Sequence, residues 1–214
     1  MKKSLLITVG LFAGLQLHGQ GTVLFNNFAV GLPQPAVIDS TTGTNAVAGT
    51  TFSVALYFAP YPNPDPGPGT LPPDPSTFTQ VGYSVHLGFL LPSGQWICPG
   101  CYNEGTVLIP QVHPPGYFGW FQVKAWETVY GFTYEQAAAA GPMNGRTALL
   151  GVSNIIKVDT GDPTLVGVPE LPAPLTGISG ILLTVVPEPS VVALGALSAC
   201  VLLVFLSKKP TGAQ

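Results

Sequence analysis

A chain of 214 residues has room for one domain of ordinary size with short appendages at its ends. Only 8% of the residues are charged while 46% are apolar, a balance that lets the chain bury a core and excludes the disordered class. Between residues 20 and 186, Lys124, Arg146 and Lys157 stand against nine acidic side chains, a net charge of −6; three scattered cations cannot track a phosphate backbone, so nucleic acid is excluded as a partner.

The 26 Gly and 23 Pro follow no collagen-like period and read as turns between short strands. They predict an all-β body: a single β-sandwich or jelly-roll-like domain over about 20–186, with one short helix. No stretch repeats with a period of a solenoid or propeller.

In chain order, Met1-Lys2-Lys3 is a positive leader, Ser4 to Leu17 an uncharged and largely apolar run, and Gly19 a small residue before Gln20. This is the order of a secretory signal peptide over residues 1–19. The run is 14 residues long, short of the ~20 that span a bilayer.

Thr22 to Phe25 and Thr51 to Phe58 read as the first strands. Residues 59–75 hold eight prolines and predict a long surface loop, because proline cannot serve a sheet interior. Tyr83, Val85, Leu87 and Phe89 alternate with Ser84, His86 and Gly88, a strand buried on one face with His86 pointing away from the core. Leu91-Pro92-Ser93-Gly94 is a turn signal. Further strands are predicted at Thr106 to Ile109, Trp120 to Glu127, Ala148 to Val158 and Ile178 to Val186, for seven to nine short elements in all. The helix is predicted within about 133–141, at Tyr134 to Ala140, with Thr133 as N-cap, Gln136 completing a capping box and Gly141-Pro142 as the stop.

Beyond the body, Pro187-Glu188-Pro189 precedes the uncharged run Val191 to Leu206, and Ser207-Lys208-Lys209 closes it before a tail at 210–214. Sixteen residues of helix cover ~24 Å, enough to span with help from the flanks. The terminal lysines favour the cytoplasmic side, which places the body outside and agrees with the leader. The prolines hold Glu188 on an extended segment that the helix cannot absorb.

The segment VPEPSVVALGALSACVLLVFLSKK resembles the PEP-CTERM sorting signal, which joins a Pro-Glu-Pro motif, a membrane helix and a basic tail. The resemblance implies that residues 187–209 sort the protein and that an exosortase-like membrane transpeptidase recognises Pro187, Glu188 and Pro189. It also implies passage from the inner membrane to the cell surface or extracellular matrix. The tail departs from the family in carrying two lysines rather than an Arg-rich cluster, and an unprocessed membrane anchor is the second reading. The body resembles uncharacterised exported β-rich proteins with this tail, which imply no activity.

Within the body, Cys98-Pro99-Gly100-Cys101 has three readings. A thioredoxin-like redox site wants a helix N-terminus at the first cysteine, whereas here a turn follows. A zinc site with His113 falls one ligand short of four. A small structural disulfide fits an exported protein. Cys200 reads as an apolar residue of the anchor.

His86 and His113 stand without a Gly-x-Ser-x-Gly elbow, and Glu104, Glu127 and Glu135 are not paired by spacing. The expectation is therefore a non-catalytic protein with no metal or cofactor. Asp159 and Asp162 lie in a polar turn that lacks the EF-hand pattern. In the strand Trp120 to Glu127, Phe121, Val123 and Ala125 share one face, and Trp120, Gln122, Lys124 and Trp126 the other. An open second face would stack on sugar rings and make the body a carbohydrate-binding module for matrix polysaccharide; a covered one would bury its aromatics for their area.

Overall fold

The computed structural model describes residues 20–28, 36–112 and 116–185. The predicted signal peptide, Pro187-Glu188-Pro189, the predicted membrane helix 191–206, the tail, His113 and Cys200 lie outside the described residues. The body is all-β, with sheets curled into a half-barrel and one short helix.

The strands in chain order are β1 (Gly21–Asn26), β2 (Val37–Asp39), β3 (Thr44–Asn45), β4 (Gly49–Pro60), β5 (Thr79–Leu87), β6 (Phe89–Leu90) and β7 (Trp96–Ile97). After them come β8 (Asn103–Ile109), β9 (Phe118–Glu127), β10 (Leu149–Val152), β11 (Ile156–Asp159), β12 (Ala173–Pro174) and β13 (Ile181–Val185). The large sheet runs β3-β2-β13-β10-β9-β4-β5, with β11 also on β9, and a small sheet runs β12-β1-β8. The strands β6 and β7 form a hairpin across the turn predicted at 91–94, closed by Leu91 N–H donating to the Gln95 carbonyl.

The long pairing of β4 with β9, from Phe52 opposite Glu127 to Pro60 opposite Gly119, is the spine of the large sheet. Val54, Leu56 and Phe58 of β4 and Phe121, Val123 and Ala125 of β9 point to one side, where they meet Val23 and Phe25 of β1, Val107 and Ile109 of β8, and Ile181 and Leu183 of β13. This is the main core, and period-2 alternation built it: successive side chains leave a strand on opposite faces.

The strand predicted over 148–158 is two strands. Ser153 interrupts it by turning its hydroxyl to accept from Val123 N–H at 2.9 Å, while Asn154 leaves the sheet to donate to the Gly177 carbonyl and accept from Ser179 N–H. Side-chain groups here replace ladder partners, so β10 and β11 share one edge of β9 with a break between them.

The alternation expected at Tyr83 is also corrected. Val81 lies opposite Leu56 and Val85 opposite Val54, so Gly82, Tyr83 and Ser84 face the single residue Ala55. Gly82 takes φ +68° to make this bulge, and Tyr83 swings outward to 81% exposure. Glu104 of β8 stabilises the bulge by accepting from Tyr83 N–H at 2.6 Å, tying the edge of the large sheet to the small one.

The helix α1 (Tyr134–Ala139) forms where predicted. Thr133 Oγ1 accepts from Gln136 N–H at 3.2 Å, and Gln136 Oε1 reaches back to Phe132 N–H at 2.9 Å. The proline-rich loop is largely exposed, as expected, but its entrance is anchored: Tyr61 is buried, and its hydroxyl donates to Asp65 at 2.7 Å.

Candidate functional site

The face of β9 opposite the main core is not open. It lies under a second apolar cluster in which Trp120 and Trp126 join Ala55, Tyr57, Tyr61, Phe78, Tyr130, Ala137, Ala148 and Leu150. The chain leaving β9 makes a 3-10 turn at Thr128–Tyr130 and folds back as α1, so that Tyr130 and Ala137 roof this face.

Each residue of the expected sugar-binding set has an internal partner or cover. Trp126 is 0% exposed, and its indole N–H donates to the Gly131 carbonyl at 2.9 Å. Trp120 is buried with its ring 5.4 Å from that of Tyr61. Gln122 donates to the Ser153 carbonyl at 3.0 Å. Lys124 sits 4.0 Å from the centre of the Tyr57 ring and 5.1 Å from that of Tyr134, with Glu135 of α1 at 3.4 Å. The open aromatic platform is thereby corrected to a covered second core. The alternation that aligns the four side chains was legible in the sequence; the cover comes from residues further along the chain.

Glu135 also accepts from Tyr57 O–H at 2.8 Å, and burial, with that bond second, pushes the Tyr57 phenol well above its ordinary value. Lys157 is held in the same manner as Lys124, 3.9 Å from the ring centres of Tyr61 and Phe118 and 3.4 Å from Asp65. Arg146 pairs with the buried Glu127, whose other oxygen accepts from Leu149 N–H. All three body cations are thus engaged by carboxylates of the chain itself.

Glu104, Glu127 and Glu135 stand on β8, β9 and α1, each with its own partners. Burial raises the Glu104 carboxyl above the ordinary range despite the Tyr83 N–H, and its Oε2 is buried without a hydrogen-bond partner. Asp162 accepts from the backbone and hydroxyl of Thr164, and its own N–H donates to Glu170, so it organises a turn. Desolvation raises Asp159, with Glu170 adding to the effect. Among the described residues no group of three metal-ligating side chains converges.

Cys98 and Cys101 are joined as a disulfide. Asn27 at the end of β1 clamps this turn: its amide donates to the Gly100 carbonyl at 2.9 Å and its Oδ1 accepts from Tyr102 N–H at 2.8 Å. The turn therefore serves to join β7 to β8 and to seat the buried Tyr102 against Phe25, ring centres 5.0 Å apart.

His86 faces away from the main core, as expected. Its Nδ1 is 3.3 Å from Ser53 Oγ, which is 3.0 Å from Thr128 Oγ1, and Trp96 meets its ring edge-on. It lines an open groove of about 480 Å³ with Thr50, Thr51, Glu127, Thr128 and Val129. The sequence around His86 carries no sign of this cluster, because the hydroxyls gathered around it come from β4 and from the turn after β9.

Comparison of the chain with family models, curated proteins and solved structures finds no match.

Proposed function

We propose that this protein is an exported, non-catalytic surface or matrix domain, a β-sandwich-like body sorted through its PEP-CTERM-like segment by an exosortase-like transpeptidase. The observation that carries the reading is the juxtaposition of Pro187-Glu188-Pro189, the uncharged run Val191 to Leu206 and Lys208-Lys209 in one stretch.

Several features of the body support it. Among the described residues the last strand, β13, ends at Val185, two residues before the motif, so the segment proposed for recognition closely follows the folded body. The disulfide between Cys98 and Cys101 suits an oxidising compartment. The cations are held in internal pairs and the aromatic face of β9 is buried in a second core, which speaks against an open sugar-binding platform on that face.

The test is intact mass spectrometry of the protein recovered from its native cell surface or medium. A mass lacking residues before about Gln20 and after about Pro189 is expected for a cleaved signal and exosortase-type sorting. Retention of Val191 to Gln214 would make the protein a permanently anchored one, and an intact leader would end the export reading.

A further inference from the structure

One rung of the large sheet marks the end of the body from which the chain continues toward the sorting segment. Phe52 lies opposite Glu127, Leu149 opposite Val185, and Leu149 is the neighbour of Leu150, which lies opposite Trp126. The start of β10 and the ends of β9 and β13 are therefore level, with Phe52 of β4 beside them and residues 49–51 of β4 running on past the rung. The Thr128–Tyr130 turn, Phe132 and the Met143–Arg146 turn all belong to the connection that leaves β9 and returns to β10 at this rung.

That connection displays apolar side chains with no cover: Phe132 is 84% exposed, and Val129 and Met143 are exposed as well. Its pieces are tied together, since Tyr130 O–H donates to the Arg146 carbonyl and Arg146 pairs with Glu127. The exposed side chains thus ride on a braced edge.

Five residues, 186–190, separate Val185 from the apolar run that starts at Val191, and fully extended they reach about 17 Å. The opposite end, where Phe118 lies opposite Asp159, is nine residues up β9, or about 30 Å away. While 191–206 is in a membrane, the short tether keeps the Val185 rung within about 17 Å of the bilayer, whereas nothing ties the far end to it.

We propose that Val129, Phe132 and Met143 form a foot that rests in the lipid interface of the membrane holding the chain. This rests on the anchor reading above. The occupant is the bilayer because the tether delivers this edge to it, and apolar side chains at a headgroup boundary bury their surface there without needing a shaped partner.

The test uses the full chain carrying Cys200→Ala, with the Cys98–Cys101 disulfide intact and one added cysteine, Phe132→Cys, Val129→Cys or the distal Val166→Cys. Val166 is 99% exposed in the loop that follows Asp159 of β11, the residue opposite Phe118, and serves as the control. Each chain is labelled with an NBD fluorophore and reconstituted into phosphatidylcholine vesicles with or without brominated acyl chains.

Bromine quenching at 132 and 129 is expected to exceed that at 166 by about twofold or more, because interfacial side chains reach ~5–10 Å into the acyl boundary. Equal weak quenching at all three positions in chains that float with the vesicles overturns the foot and leaves the anchor standing. A blue-shifted but unquenched label at 132 also overturns it, by showing a protein surface over this edge. Chains that do not float end the anchor reading, and the foot with it.

Discussion

Replacing Trp126 by alanine separates a covered second core from an open ligand platform. The indole is 0% exposed and its N–H bonds to the Gly131 carbonyl at 2.9 Å, at the point where the chain turns back to roof the sheet. Deleting a buried tryptophan costs ~3–5 kcal/mol when the site cannot collapse around the void. The unpaired carbonyl adds about 1 kcal/mol. For a body of this size each kcal/mol moves Tm by about 2–4 °C, so Trp126→Ala should lower it by roughly 8–24 °C. Urea unfolding followed by far-UV circular dichroism gives the free energy directly, with the 84% exposed Phe132→Ala as a control expected within about 0.5 kcal/mol of the parent. A Trp126→Ala protein within about 1 kcal/mol of the parent would refute the covered core, since only a solvated ring can be removed so cheaply.

Glu104→Gln should stabilise the protein at neutral pH relative to the parent. Burial raises the folded carboxyl above its unfolded value, so its favourable contribution is full below the ordinary glutamate range and is lost as pH rises through the folded value. Urea midpoints of parent and variant should therefore diverge in favour of Gln as pH increases from acid to neutral; a difference independent of pH would sink this account. Cys98→Ser with Cys101→Ser, or reduction of the parent, should cost about 2 kcal/mol for so short a closed loop. An unfolding midpoint indifferent to reductant would show that the clamp by Asn27 alone holds the turn.

The elements legible in the sequence were those whose cause is local. The cap and capping box of α1 lie within five residues, from Phe132 to Gln136, and the alternation of β9 needs only its own side chains. The disulfide turn was likewise readable from the close spacing of Cys98 and Cys101 and the turn residues between them. The short strands β2, β3 and β12 escaped notice because two or three residues carry too little periodicity; they are strands only through their partners, β13 for β2, β2 for β3 and β1 for β12.

The amino-acid sequence by itself determined which side chains of β9 share a face, because backbone geometry alternates them whatever surrounds the strand. It also determined the order of apolar and basic stretches at the two ends, on which the export proposal stands. Tertiary structure alone decided what those faces meet. Whether Trp120 and Trp126 bind a ligand or fill a core depends on where Tyr130 and Ala137 return, and whether Tyr83 turns in or out depends on Glu104 of another strand. Burial is a property of the contacts a residue is brought to, and those contacts are made across the fold, by segments whose positions no local pattern specifies.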